Sequence, residues 1–447
     1  MTQKIRTFIA LIALLAPTIS TQLISAPVAQ AATVGSSPCI SNVQTSGTAV
    51  VASAGGNCYV AFLSGSNTWT PPTGVTQADL LIIAGGGAGG SGAWAGGGGA
   101  GGVVYVANKS VTSSTTYSLA VGAGGSAGAA NLDGITNRSN NGSNSWFESN
   151  STLVAIGGGA GASYAWSTGS APYSACDGNS GGSGGGAPEC NNGSYTNDGG
   201  ASTQTIPAGA TAAYGNAGGG TPTANYASGG GGGGAGTAGT SVTVSSTAGR
   251  GGNGTTLFAS WLTAISSAMS GVSGWSTATS GGYIAAGGGG SANTAGAGGT
   301  GGGGGGGSAS VLNGTAGVTN TGSGGGGAGY TGSSGTGGAG ATGLIIIKYA
   351  LASTISIAIN GNPVSVIFNQ PVTITATIVG VDGAVTFYAD GKVITKCIAK
   401  PSTGLNSTCS WKPIVHRMVS LTAKLINSSS VFAPAIRIPV AKRSSTR

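Results

Sequence analysis

The sequence predicts a mainly β protein in two parts, a glycine-rich β domain with polyglycine-II-like helices and then a C-terminal immunoglobulin-like β-sandwich. Three observations carry that expectation. Two apolar, β-branched runs, LLIIA at 80–84 and LIIIKY at 344–349, bracket a segment holding 81 of the chain's 92 glycines. Charged residues make up only 5% of the chain, against about 25% in an ordinary soluble protein. Past residue 350 glycine becomes sparse and short runs of alternating apolar and polar residues take over.

Residues 1–31 read as an export signal. Lys4 and Arg6 precede an apolar run at 8–15, and Ala29-Gln30-Ala31 fits the small-x-small cleavage rule, so the mature chain is expected to start at Ala32. No other run of about 18 apolar residues follows. The mature protein is therefore expected to be secreted or held at the cell surface, with no transmembrane segment after signal removal.

Residues 32–57 form an N-terminal leader. It holds Cys39, and the six cysteines fall into three pairs close in sequence: Cys39 with Cys58, Cys176 with Cys190, and Cys397 with Cys409. Proximity favours three local disulfides, although sequence alone leaves the connectivity open. Metal ligation is the competing reading. It is disfavoured because the spacings are not C-x-x-C and His416 is the single histidine.

The glycine-rich domain spans 58–350. Pro71, Pro72 and Gly74 set a turn before a strand at 79–84. Further β-prone runs lie at 103–107, 117–121, 153–156, 242–244, 257–262 and 344–349, separated by glycine blocks such as 96–99, 229–234 and 301–307. Glycine loses more conformational freedom on folding than any other residue and has no side chain to bury. The blocks are thus either flexible linkers or extended three-residue-per-turn helices, whose outward N–H and C=O groups bond to neighbours. The interspersed strands and aromatics (Trp94, Trp146, Tyr164, Trp166, Tyr226, Tyr283) favour the ordered alternative.

WTPPTGVTQADLLIIAGGGAGG, GGGGAGGVVY, YSLAVGAGG and the closing GLIIIKY resemble the glycine-rich domain of bacterial secreted and surface proteins. That resemblance implies a β-structure from which bundled polyglycine helices project, as in glycine-rich phage tail-fibre adhesins. Such relatives bind through presented loops or surfaces, and catalysis is not their role.

Residues 351–440 carry seven strand candidates: 354–359, 364–368, 372–378, 385–388, 392–395, 418–426 and 435–440. Asp390-Gly391 marks a tight hairpin. Seven short strands over this length suit an immunoglobulin-like sandwich, and GAVTFYADGKVI, STCSWKP and SLTAKL resemble the bacterial immunoglobulin-like repeat. A basic tail occupies 441–447. Residues 351–447 hold ten Lys and Arg against Asp382 and Asp390, whereas 32–350 hold four basic residues against six acids. The basic part reads as a solvated face or as a docking surface for anionic wall polymer. No nucleic-acid module is visible.

Catalytic motifs are weak. Gly85-x-Gly87-x-x-Gly90 follows a strand but opens no helix, so it lacks the context of a dinucleotide site. Gly178-Asn-Ser180-Gly-Gly resembles a serine nucleophile loop, yet the single histidine, His416, belongs to the other domain. Asp133, Glu148, Asp177, Glu189 and Asp198 could in principle supply paired carboxylates for glycoside hydrolysis, but each sits in a polar loop context. Trp411 reads as sandwich core and His416 as an exposed loop residue. Trp146, Phe147, Tyr164, Trp166 and Tyr173 lie in Ser/Asn/Gly-rich loops, where flat rings can stack on sugars or anchor a protein. They could equally fill gaps in a region short of large side chains.

The expected function is non-enzymatic adhesion or binding, without cofactor, toward an extracellular protein or glycan. A structural envelope role through the basic immunoglobulin-like domain is the alternative, and glycoside hydrolysis through Glu148 or Asp177 is the third.

Overall fold

The structure, a computed structural model, describes residues 32–34, 39, 41–45, 48–130, 138–164, 176–189, 197–222, 227–350, 353–379, 383–403, 406–426 and 431–442. The export signal and the basic tail beyond residue 442 lie outside these.

Two six-stranded sheets form the base of the glycine-rich part. The first orders β1 (Ala32–Val34), β2 (Ser41–Thr45), β5 (Gly65–Thr70), β8 (Tyr117–Val121), β9 (Ser145–Phe147) and β10 (Leu153–Ala155). The second orders β11 (Ala212–Tyr214), β7 (Val103–Ser110), β6 (Gln77–Ile83), β12 (Leu344–Ala350), β4 (Asn57–Phe62) and β3 (Ala49–Ala54). The two bracketing runs are adjacent antiparallel strands, with Leu344 opposite Ile83 and Ile347 opposite Leu80.

Alternation explains why these central strands are apolar throughout. Val60, Phe62, Leu80, Ile82, Ile345 and Ile347 face the first sheet and pack with Trp69, Leu119 and Phe147. Tyr59, Leu81, Ile83, Leu344 and Ile346 point the other way, against Phe258, Trp261, Leu262 and Ile265. A strand buried on both faces has no polar side to show.

That second covering layer corrects the β reading of 257–262. The segment carries α1 (Ala259–Ile265), followed by the short α2 (Trp275–Ala278). Phe258, Trp261, Leu262, Ile265 and Met269 recur at helical spacing and all face the sheet. The run at 242–244 forms no strand. The expected leader is also partly absorbed: β3 pairs with β4 over its full length, and Cys39 is disulfide-bonded to Cys58 on β4.

Glycine segments continue the strands at one end of this sandwich. Segment 85–92 leaves β6, 95–102 enters β7, 335–343 enters β12, and 156–162 leaves β10. Residues 95–102 show how they pack. Gly96, Gly99 and Gly102 donate N–H bonds to Ala162, Gly159 and Ile156; Gly97 and Ala100 donate to Gly230 and Gly233; Ala95, Gly98 and Gly101 donate to Ala328, Gly325 and Gly322. Their carbonyls accept with the same rotation, from Gly90, Gly87 and Ala84 on one side, Gly186 and Ser183 on another, and Ser291 and Gly288 on the third. The partner segment recurs at every third residue, the period of an extended helix with no internal hydrogen bonds. Three segments on the donor side and three on the acceptor side thus enclose one helix.

Glycine is required here by contact. A Cβ on Gly98 would overlap the carbonyl oxygen of Gly87, and one on Gly97 that of Gly288. Backbone packs on backbone, and each bond contributes only about 1 kcal/mol net, so the bundle holds by the number of bonds it makes at once. Apart from Gly301 and Gly302, which take positive φ in a turn, the blocks are ordered helices, and Gly85-x-Gly87-x-x-Gly90 is one of them.

The C-terminal part is a second sandwich. A three-stranded sheet orders β13 (Thr354–Ile359), β15 (Val372–Val379) and β18 (Asn406–Trp411). A five-stranded sheet orders β14 (Val366–Ile367), β20 (Ile436–Ala441), β19 (Met418–Ile426), β16 (Ala384–Ala389) and β17 (Lys392–Val393). The chain crosses between the sheets repeatedly, as in an immunoglobulin-like fold, with β16–β17 and β19–β20 as consecutive pairs within the five-stranded sheet. Ile357, Ile374, Phe387, Trp411, Leu421 and Leu425 fill the core, which places Trp411 where the sequence put it. Asp390 and Gly391 both take positive φ, 49° and 74°, and close a two-residue hairpin between β16 and β17. β18 was not among the strand candidates; its polar face (Asn406, Thr408, Ser410) hides the alternation of buried Ser407, Cys409 and Trp411. Cys409 is disulfide-bonded to Cys397.

Candidate binding surface at the far end of the glycine bundle

Because the glycine helices run out from the sandwich and back, their connecting turns collect at the end remote from it. The turn at 91–95 joins the helix leaving β6 to the one entering β7. Residues 329–334 join 322–328 to 335–343, and Tyr164 follows the helix that leaves β10. These two turns and Tyr164 bring three aromatic rings together. Trp94 meets Tyr164 edge to face at 5.5 Å and Tyr330 at 5.0 Å between ring centroids.

The rings are set on a braced platform. Ser91 Oγ donates to the Gly128 carbonyl at 2.8 Å and accepts from the Gly337 N–H at 3.0 Å, while its N–H donates to Ser163 Oγ. Ser139 Oγ donates to the Gly89 carbonyl at 2.6 Å. Isolated bridges Gly92 to Gly335, Ser228 to Ala292 and Thr247 to Thr294 tie further turns together. The Glu189 N–H donates to the Trp94 carbonyl at 3.3 Å.

Trp94 adopts φ 39°, a left-handed conformation uncommon outside glycine. Such a conformation persists only where the surrounding structure over-determines it. Tyr164 is buried, whereas Trp94 and Tyr330 are half-buried. Burial, then the nearby Glu189 carboxylate and Tyr330, raise the Tyr164 phenol above its ordinary value, so it stays neutral at physiological pH.

Of the described rings among the five proposed from sequence as ligand-binding, Tyr164 joins this cluster. Phe147 is withdrawn from the set: it is fully buried on β9 and stacks on Tyr117 at 5.5 Å within the sandwich core. Trp146 is half-buried beside it, pairing across β9 with Ala120 and Val154. Trp166 and Tyr173 lie outside the described residues. Tyr330 was missed because a lone tyrosine in a Gly/Ser run carries no signal. Trp94 did carry one, since it sits between two glycine runs that must turn.

The carboxylate candidates Glu148 and Asp177 have partners of their own. Glu148 lies at the end of β9 remote from the bundle and pairs with Lys109 at 2.7 Å. Asp177 belongs to the far-end chain and accepts the Asp198 N–H at 3.0 Å. Asp133 and Cys190 are outside the described residues, although Cys176 is disulfide-bonded. His416 stacks on Phe368 at 3.9 Å in the C-terminal sandwich, exposed as expected. Among the described residues no group of three or more His, Cys, Asp or Glu could hold a metal, and no helix is long and apolar enough to cross a membrane.

A family model described as "Glycine-rich domain" matches residues 62–350. No curated protein matches the chain. Among solved structures, the CARDB domain of a Pyrococcus furiosus protein, crystallised with di-metal ions, matches with 17% identity and a TM-score of 0.15, covering 21% of this chain and 94% of that one.

Proposed function

Since the chain belongs to the glycine-rich domain family, we propose that it is a secreted or cell-surface binding protein. It presents its ligand site on the turns at the far end of the glycine bundle. The single observation that carries this reading is the Trp94–Tyr164–Tyr330 cluster, braced by buried serines and with its tryptophan in a left-handed conformation. Val311 and Val244, 61% and 60% exposed, add apolar surface to turns of the same end. Partly exposed rings on a rigid support suit a glycan face or an apolar side chain of an extracellular protein. The disulfides suit an oxidising compartment.

Replacing Trp94 and Tyr330 together with alanine tests the site, read as binding of labelled full-length protein to a glycan array and to intact bacterial cells. Affinity should fall about tenfold or more, roughly 1.4 kcal/mol. Trp146→Ala on the sandwich should leave binding unchanged. The reverse pattern would move the site to the sandwich face, and no change in either variant would overturn the aromatic reading.

A further inference from the structure

A groove in the C-terminal sandwich lies outside the far-end reading and does not depend on it. It runs between the β16–β17 hairpin and the chain from Trp411 through Val419, with a volume of about 440 Å³. Its floor is apolar: Trp411 and Val419 are buried, and Ile394 and Val415 are half-buried. Two aliphatic residues on its walls are left in water, Ile414 at 77% exposure and Val393 at 42%.

Its rim is cationic. Lys392, Lys412 and Arg417 all line it. The acid among the lining residues, Asp390, is already engaged: Arg417 pairs with it at 2.7 Å, and the Ser420 N–H donates to it at 2.9 Å. Among the described residues no carboxylate lies within ion-pairing distance of Lys392 or Lys412. Two positive charges, neither paired with a carboxylate among the described residues, therefore flank an apolar trough.

Each part has an ordinary explanation alone. Single exposed aliphatics are common, and lysines on a short edge strand such as β17 discourage edge-to-edge pairing. Together they make a surface complementary in both shape and charge to one kind of partner. We propose that this groove binds an acidic peptide segment. An aliphatic side chain of the peptide enters beside Ile394, Val415, Val393 and Ile414, while its carboxylates meet Lys392 and Lys412. A purely anionic polymer satisfies the two lysines but leaves Ile414 and Val393 in water, so the apolar trough favours the peptide.

The test uses the full-length protein and a fluorescein-labelled Glu/Leu peptide, read by anisotropy at several salt concentrations. The same peptide with serine for leucine is the comparison. The leucine peptide should bind about tenfold more tightly than the serine peptide. Ile414→Ser should remove most of that preference and leave the salt dependence intact. Lys392→Gln with Lys412→Gln should weaken binding about tenfold and flatten the salt dependence, since surface charge attraction is screened. All three side chains are exposed, and an unchanged circular dichroism spectrum checks folding.

Equal binding of both peptides would overturn the proposal, as would equal displacement by inorganic polyphosphate or an Ile414→Ser variant that binds as before. The Trp94 and Tyr330 variant should bind the peptide normally, which keeps failure at this groove distinct from failure at the far end.

Discussion

Leu344 lies directly opposite Ile83 in the antiparallel pair of β12 with β6. The residue that closes the glycine-rich segment is thus bonded beside the one that opens it. Every glycine helix between them is an excursion that leaves the sandwich and must return to it. The site proposed for binding lies where those excursions turn round.

Gly98→Ala tests whether backbone contact holds the bundle. The added methyl would meet the Gly87 carbonyl, which neighbouring hydrogen bonds hold in place. A loss of about 3 kcal/mol is expected, near the upper end for overpacking, read as a lowered midpoint in denaturant unfolding. Gly271→Ala is the control, because nothing lies within 4 Å of its Cβ position; its effect should stay within about 0.5 kcal/mol. Equal effects would mean the glycines are not there for packing.

Hydrogen exchange separates an ordered bundle from a mobile one. Amides of 95–102, each bonded to another segment, should exchange only through larger openings and rank with the central strands. Amides in the turn at 308–312 should exchange far faster. Comparable fast rates in both places would contradict the enclosed-helix packing.

Reducing the Cys39–Cys58 disulfide frees the chain before β3 from β4. The bond joins residues 19 apart, so its loss should cost about 3 kcal/mol through added freedom of the unfolded chain. The paired variant Cys39→Ser with Cys58→Ser should show a similar drop in thermal midpoint. No drop would mean that strand pairing alone holds this segment.

The C-terminal sandwich should weaken in acid through Asp390. Its carboxyl is held below the ordinary range chiefly by the Ser420 N–H; lost hydration opposes this, and Arg417 adds to the lowering. A depressed folded-state value gives stability that is present above about pH 4 and lost as pH falls through that folded value. Asp390→Asn should therefore be less stable than the natural chain at neutral pH, with the difference shrinking below about pH 4. Thermal midpoints across that range are the measurement, and a constant difference would count against the linkage.

Much of the fold was legible because pattern and burial coincide. LLIIA and LIIIK announce strands covered on both faces, and Asp390-Gly391 announces its hairpin because both positions need positive φ. The run 257–262 reads as β-prone, although Phe258, Trp261 and Leu262 continue at helical spacing to Ile265. Of the binding cluster Tyr164 was proposed from sequence and Trp94 carried a signal, but their meeting with Tyr330 was not legible. Trp94 and Tyr330 are far apart in sequence, and nothing local tells which glycine segments are neighbours.

By itself the sequence determined that any ordered packing of the glycine segment would be backbone on backbone, since a segment so rich in glycine has few side chains with which to build a core. It also determined the two-part β architecture, through the apolar bracket and the alternation beyond residue 350. Only the tertiary structure decided which segments enclose which, because every polyglycine helix offers the same N–H and C=O groups and local sequence cannot distinguish partners. It alone decided that Phe147 is core and that Trp94, Tyr164 and Tyr330 meet. Those outcomes depend on where strands of a shared sandwich launch their helices, which is a matter of register and topology.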